Sequence, residues 1–345
     1  MSRKNLRNLQ KLEHIDIEIT RKCNFNCFHC SAGIERGGPK LSKDDVKNIL
    51  CEAKSLGLKR VGFTGGEPFL SFQSLQELTD FSIQKLGTKI HIHSNGSLIT
   101  PEIAKWVKQS NIDMTITIFG PSPEVHELIT QLRGSYNSTL NGLKNLLNYK
   151  VVFSVFIVPM KANIKEIPSL IKFVNDMGCK DIRILSLSPT GKALTNFIKY
   201  APSQREIDHL NKEFIEIQNQ LNISLNAGFC TRLNHPSLKI REGHDYCYSA
   251  QNRVHIDGFG NVIPCTAASG RLGFSAGNLM IPETNLSEIW QHSPLFKYIR
   301  KNLSNPDTKC QKCIKYKDCM GGCRVMMAYK YGDFSVSNPE CGGPY

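Results

Sequence analysis

At 345 residues the chain is long enough to bury a large core and to form one large domain with a smaller one beside it. Its 43 lysines and arginines against 30 acidic residues leave a formal charge of +13. These basic residues are scattered and never interleave with aromatics, which reads as a solvated surface and sets nucleic acid aside as a partner. No apolar stretch approaches bilayer length, and residues 1–12 are polar and basic without a signal-peptide core, so no membrane partner and a cytoplasmic location are expected. Thirteen cysteines are many for a compartment that keeps thiols reduced. Metal ligation accounts for them better than a disulfide framework.

The first element is a strand over residues 14–20, where apolar and polar side chains alternate. It runs into Cys23-Asn24-Phe25-Asn26-Cys27-Phe28-His29-Cys30. Three thiolates at this spacing on a strand-end loop can meet at one centre and leave a fourth position without a protein ligand. That suits an iron–sulfur cluster with one open iron. Zinc is the competitor, but a structural zinc normally closes four ligands.

Ser42 caps the next helix, which turns Val46, Ile49, Leu50 and Ala53 inward and places Cys51 beside that face as a semi-buried packing residue. Residues 60–64 form a second strand ending in Gly65-Gly66-Glu67-Pro68. Residues 89–93 form a third, ending in Ser94-Asn95-Gly96. Thr100 caps a helix with Pro101 at its first position. A fourth strand spans 113–118, Ser135 caps a helix bearing Tyr136, Leu140, Leu143 and Leu147, and a fifth strand spans 151–158. Pro168 opens a helix that Gly178 closes, Cys179 packs behind it, and residues 181–187 are the sixth strand.

Six strand–helix units in succession predict an α/β fold with a parallel sheet and right-handed crossovers. Six units cannot close an eight-stranded barrel, so an open, partial barrel is expected. Each chemically suggestive loop follows a strand, which gathers them on the C-terminal face. After Ala201 the alternation stops. Residues 203–222 read as one more helix, and a loop-rich stretch then holds Cys247, Cys265, Cys310, Cys313, Cys319, Cys323 and Cys341. Seven cysteines do not divide into closed four-ligand sets, which weakens a zinc-ribbon reading.

The cysteine triad followed by Gly65-Gly66-Glu67-Pro68 resembles the radical S-adenosylmethionine (SAM) superfamily. The C-terminal pattern reads Cys247-x12-Gly260-x4-Cys265, then Cys310-x2-Cys313-x5-Cys319-x3-Cys323 and Cys341, and resembles the SPASM domain of that superfamily. The resemblance implies a basic tail over 1–13, a partial (β/α)6 barrel over 14–200, a linker helix and loop over 201–240 and a loop-rich iron–sulfur domain over 241–345. It implies three 4Fe-4S clusters: one on Cys23, Cys27 and Cys30, an outer auxiliary one on Cys310, Cys313, Cys319 and Cys341, and an inner one on Cys247, Cys265 and Cys323. Cys230 is the candidate fourth ligand of the inner cluster. The matched pattern has no equivalent of it, so an open iron is expected there.

For the cofactor, the resemblance implies that SAM lies against Gly65, Gly66 and Glu67, with His29 near the adenine. Ser94, Asn95 and Thr117 are the expected polar and ribose contacts, although Phe119 departs from the acidic residue many relatives carry. The implied activity is reductive cleavage of SAM and modification of a peptide or protein by cross-linking, epimerisation or oxidation. A small metabolite, of tetrapyrrole or aminoglycoside type, is the alternative substrate. A non-catalytic iron–sulfur electron-transfer protein is the reading from another class. Flavodoxin or ferredoxin is the implied electron donor. Residues 158–163 with Pro189-Thr190-Gly191-Lys192 resemble both substrate groups.

Overall fold

The computed structural model describes residues 10–32, 41–221, 224–227, 249–270, 273–314, 316 and 320–339. The six expected strands are present as β1 (His14–Thr20), β2 (Arg60–Gly65), β3 (Lys89–Ser94), β4 (Asp113–Thr117), β5 (Phe153–Ile157) and β6 (Asp181–Ile184). They pair in chain order, each parallel to the next. The sheet continues beyond them. β7 (Ser224–Ala227) adds parallel to β6, and β8 (Arg253–Ile256) adds parallel to β1 on the opposite side. With the antiparallel strands β9 (Asn261–Ile263) and β10 (Gly277–Asn278), the sheet has 10 strands among the described residues. The stretch after Ala201 therefore contributes strands as well as loops. Strands of four residues or fewer carry too little alternation to stand out in the sequence.

The helices are α1 (Lys43–Ser55), α2 (Phe72–Gln84), α3 (Pro101–Gln109), α4 (Pro123–Thr130), α5 (Ser135–Asn148), α6 (Ile167–Asp176), α7 (Phe197–Tyr200) and α8 (Gln204–Gln220). In the C-terminal region follow α9 (Leu286–His292), α10 (Pro294–Ser304), α11 (Thr308–Gln311) and α12 (Arg324–Tyr331). Ser42 and Asp45 form a reciprocal capping box at α1, and Thr100 caps α3 through the Ile103 amide. Ser135 is the first residue of α5 rather than its cap. Gly134, at φ 84°, takes the cap position, while the Ser135 hydroxyl pairs with that of Thr130 at 2.6 Å. Cys51 is exposed on α1, one step off the inward stripe, so it is not a packing residue; Cys179 is buried as expected. No described helix is long and apolar enough to cross a membrane.

The two faces of the sheet differ in chemistry. Toward the helices, Ile15, Ile17, Val61, Phe63, Ile90, Ile92, Met114, Ile116, Val155, Ile157, Ile182, Ile184, Val254 and Ile256 form an aliphatic layer, none more than 2% exposed. The alternate residues face the other side and, Gly62 and Phe156 apart, are polar. There Arg253 Nε donates to Asp16 at 2.7 Å and Arg60 to Asp113 at 2.6 Å. His91 Nε2 pairs with the Thr115 hydroxyl at 2.8 Å, and Ser154 donates to Asp181 at 2.6 Å. Gly62 is required within this layer, since a Cβ there would stand 2.0 Å from Asp16 Oδ1. Burial works to raise the Asp16 carboxyl, but Arg253 and His14 outweigh it and hold the group well below the usual range. Parallel sheets are usually apolar on both faces. A polar inner face marks this one as the wall of a site.

Candidate functional site

The loop of Cys23, Cys27 and Cys30 leaves the C-terminal end of β1 and is clamped from two sides. On one side stands the loop after β2, where the Gly66 amide donates to Thr20 O and the Glu67 amide to Lys22 O, both at 2.8 Å. A Cβ at Gly66 would lie 2.1 Å from Lys22 O, and one at Gly65, which has φ +133°, would lie 2.0 Å from Thr20 O. The two glycines thus serve contact between the β2 loop and the segment entering the cysteine loop. On the other side stands the segment after β6. The Lys192 amide donates to Cys30 O at 3.0 Å and its ammonium to Asn26 Oδ1 at 2.5 Å, while Tyr200 stacks on Phe28 at 4.3 Å. A Cβ on Gly191 would come within 2.2 Å of Cys30 O. A small apolar cluster of Phe119, Ile129, Met160, Leu187 and Ala193 packs against Cys27 and Phe28.

Burial raises the Cys23 thiol to about 11. Burial also raises that of Cys27, with Cys30 and Cys23 adding to it. Cys23 and Cys27, within electrostatic reach of each other and of Cys30, resist ionisation by themselves. The triad fits a group whose iron charge compensates three thiolates. Among the described residues no group of three or more His, Cys, Asp or Glu is drawn together as the shell of a single metal ion.

Glu67 is fully buried and ties two loops together. Its Oε1 accepts from the Phe69 amide at 3.1 Å and the Ser94 hydroxyl at 2.9 Å; its Oε2 accepts from the Asn95 amide at 2.8 Å. Burial raises this carboxyl to about 7, against the pull of the three donors. Ser94 is thereby turned toward Glu67. The Asn95 side chain reaches the cysteine loop, with Nδ2 2.9 Å from Asn24 Oδ1 and 3.8 Å from Cys23 Sγ. His29 stands edge-on to Phe28 and Phe119, its Nδ1 without a partner among the described residues, and burial lowers its pKa to about 4. Thr117 is half-buried at the end of β4, on the polar face opposite Phe156 of β5. The structure therefore brings His29, Gly65, Gly66, Glu67, Ser94 and Asn95 around the triad, and no contact joins Thr117 to it among the described residues.

In the C-terminal region Cys265, Cys310, Cys313 and Cys323 are described, while Cys230, Cys247, Cys319 and Cys341 lie outside the described residues. Cys310 sits on α11, capped by Asp307, and the Cys313 amide closes a turn onto Cys310 O at 3.1 Å. Cys323 precedes α12, and α12 packs against the turn that follows Cys265. Arg324, 2% exposed, donates to Ser335 O and Met320 O and holds the glycine turn between them.

Two features make contacts that the motifs do not predict. The turn 257–260 after β8 docks on β1, where Glu18 accepts from the Gly258 amide at 3.0 Å and pairs with Arg21 and His255. Glu18 and His255 occupy polar positions of alternating strands, and only the register identifies them as neighbours. The segment 187–201 joins the two cysteine regions. It contacts Cys30 O through Gly191, and Phe197 meets Tyr329 of α12 at 5.9 Å. The sequence signal for it was the Pro189-Thr190-Gly191-Lys192 run.

Residues 17–174 match the Radical SAM superfamily, and residues 247–314 match SPASM, described as an iron–sulfur cluster-binding domain. The chain is 26% identical to the AdoMet-dependent heme synthase of Methanosarcina barkeri (strain Fusaro / DSM 804) over 94% of both chains. It is 23% identical to the PqqA peptide cyclase of Granulibacter bethesdensis over 94% of this chain and 85% of the other. Its fold is similar to that of Streptococcus suis SuiB bound to precursor peptide SuiA, with a TM-score of 0.74 and 21% identity over 99% of this chain and 78% of that one.

Proposed function

The chain belongs to the radical SAM superfamily and carries a C-terminal SPASM domain, and from that premise we propose that it is a cytoplasmic enzyme that modifies a peptide or protein by cross-linking, epimerisation or oxidation. The observation that carries the site is the clamping of the Cys23, Cys27 and Cys30 loop between Gly66 and Gly191. A 4Fe-4S cluster on these thiolates, with SAM beside it, supplies reductive cleavage to methionine and a 5′-deoxyadenosyl radical. Gly65 and Gly66 seat the β2 loop on the backbone that enters the cysteine loop, where the methionyl end of SAM would be held. Glu67 holds the β2 and β3 loops in register, and His29 with Phe119 offers an aromatic wall for the adenine.

Two auxiliary 4Fe-4S clusters complete the proposal. Packing of α12 on the turn after Cys265 supports Cys265 and Cys323 as ligands of one cluster, with Cys247 as the third. Cys310, Cys313, Cys319 and Cys341 hold the other. The inner cluster keeps an open iron unless Cys230 closes it. A flavodoxin or ferredoxin supplies the electron.

The peptide reading draws on the match to a peptide cyclase over most of the chain and on the open order of the sheet, which ends at β7 and β10 and suits a substrate too large for a closed barrel. A small-metabolite reading draws on the heme synthase match, which spans 94% of both chains. The reconstituted protein, given SAM and dithionite without oxygen, is expected to form 5′-deoxyadenosine. Short peptides encoded beside its gene should stimulate that yield and change in mass. Turnover of a tetrapyrrole with inert peptides would overturn the peptide reading, and absence of 5′-deoxyadenosine would overturn both.

A further inference from the structure

We propose that Asn24, Asn95 and Ser97 form a hydrogen-bonded ring that positions one N–H on the sulfur of Cys23 and so raises the reduction potential of the cluster held there. The inference rests on the assignment of the triad to a cluster and adds residues that are not among its ligands.

The ring is closed and runs in one direction. Asn95 Nδ2 donates to Asn24 Oδ1 at 2.9 Å, Asn24 Nδ2 donates to Ser97 Oγ at 2.8 Å, and Ser97 Oγ donates to Asn95 Oδ1 at 2.6 Å. Donors and acceptors aligned in this way polarise one another. The orientation of Asn95 is fixed by chemistry. The Ser97 backbone amide, which can only donate, points at Asn95 Oδ1 from 2.9 Å, so a flipped amide would set two donors face to face. One Nδ2 hydrogen goes to Asn24. The other faces Cys23 Sγ at 3.8 Å. From below, the Glu67 carboxylate accepts the Asn95 backbone amide and fixes where the residue stands.

Cys23 Sγ also accepts from the Phe25 amide at 3.4 Å, a bond local to the cysteine loop. The Asn95 bond differs in kind, because it comes from the loop after β3. The added electron of the cluster's one-electron couple increases negative charge on the thiolate sulfurs. An N–H aimed at one of them stabilises the reduced form more than the oxidised form. Ser97 and Asn24 act through Asn95 and are positioning residues.

The test is an anaerobic redox titration of the holoprotein with dithionite, without SAM, followed by electron paramagnetic resonance. Electron–nuclear double resonance then looks for an exchangeable proton near the reduced cluster. Asn95→Ala is expected to lower the midpoint potential, with about a fivefold loss in the reduced-to-oxidised ratio at fixed potential, as for one hydrogen bond of ordinary net strength. The proton coupling should vanish while the auxiliary signals stay in place. Ser97→Ala keeps the donor and loosens the ring, so its potential should move in the same direction by less. An assembled Asn95→Ala cluster with unchanged potential and coupling would overturn the proposal. If Asn95→Ala fails to assemble its cluster, an unchanged Ser97→Ala potential overturns it. Failure of the unaltered protein to assemble a cluster on the triad would refute the site assignment instead, which separates the two claims.

Discussion

The loop of Cys23, Cys27 and Cys30 is tied to residues far along the chain: Asn24 to Asn95 across 71 positions, and Asn26 to Lys192 across 166. The glycine turn before Cys323 is tied locally, by Arg324 bonding to Met320 four residues back and to Ser335 eleven residues on. A buried charged side chain acts as hub in both places, Glu67 in the first and Arg324 in the second. Their settings differ. Glu67 joins loops that the aliphatic sheet already holds in register, so the first site is shaped before metal arrives. The second region has short helices and turns around its described cysteines, so the ligation proposed there would be coupled to folding.

The largest expected effect tests this contrast at the metal. Replacing Cys23, Cys27 and Cys30 together by Ala should abolish SAM cleavage and, on the proposal of three four-iron clusters, remove roughly a third of the iron. The melting temperature should scarcely move, because the frame does not depend on those ligands. A collapse in melting temperature would break the comparison. Next in size, Cys310→Ala or Cys341→Ala should lose iron and expose the C-terminal region to limited proteolysis, while SAM cleavage without substrate persists at a reduced rate. Equal protease resistance with full iron content would refute the ligand assignment.

Gly66→Val is expected to force its side chain against Lys22 O, at a cost of about 1–3 kcal/mol. Its contact is with backbone one residue before Cys23, so cluster occupancy on the triad should fall together with SAM binding. Iron analysis and calorimetric titration with SAM would check both. Arg324→Met should cost about 2 kcal/mol through two lost carbonyl bonds, read as earlier unfolding of the C-terminal region under denaturant with the barrel transition unmoved.

The smallest effect is a slope. Burial lowers the pKa of His126 to about 4, and His29 and His93 are lowered to about 4 with burial as the first cause. A base with a depressed folded pKa binds fewer protons folded than unfolded between about 4 and 6.5. These three therefore favour the folded form above about 6.5 and lose that contribution as pH falls toward 4. Glu67, raised to about 7, works in the opposite sense between its ordinary value of 4.5 and 7. Denaturant titrations of the metal-free protein should show a net loss of stability on acidification, flattened in His126→Phe. An unchanged slope in that variant would remove His126 from the account.

Much of the fold was legible because its signals are local. Strand alternation, the Ser42 and Thr100 caps and the strand-end glycines each need only a few neighbouring residues. The cysteine triad was legible for the same reason. What stayed hidden depends on register. Gly66 invites a reading as room for a ligand, yet its nearest neighbour is the Lys22 carbonyl. Glu67 invites a reading as a direct contact, yet both its oxygens face donors on the chain. β7 and β8 are four residues each and find partners only once the sheet exists. Ser135 looks like a cap, but the helix starts one residue earlier than a serine cap would allow, with Gly134 in the left-handed region.

The division of each strand into an aliphatic side and a polar side also bears on how such a protein diversifies. Residues facing the helices hold the frame together. His93, Thr117 and Phe156 look the other way and are only half-buried. Mutational drift at these three positions can change that face of the sheet while leaving the hydrophobic layer untouched. Tolerance to change and commitment to a fold thus reside on opposite sides of the same backbone, and a library confined to the inner positions would explore new substrates on a scaffold that stays folded.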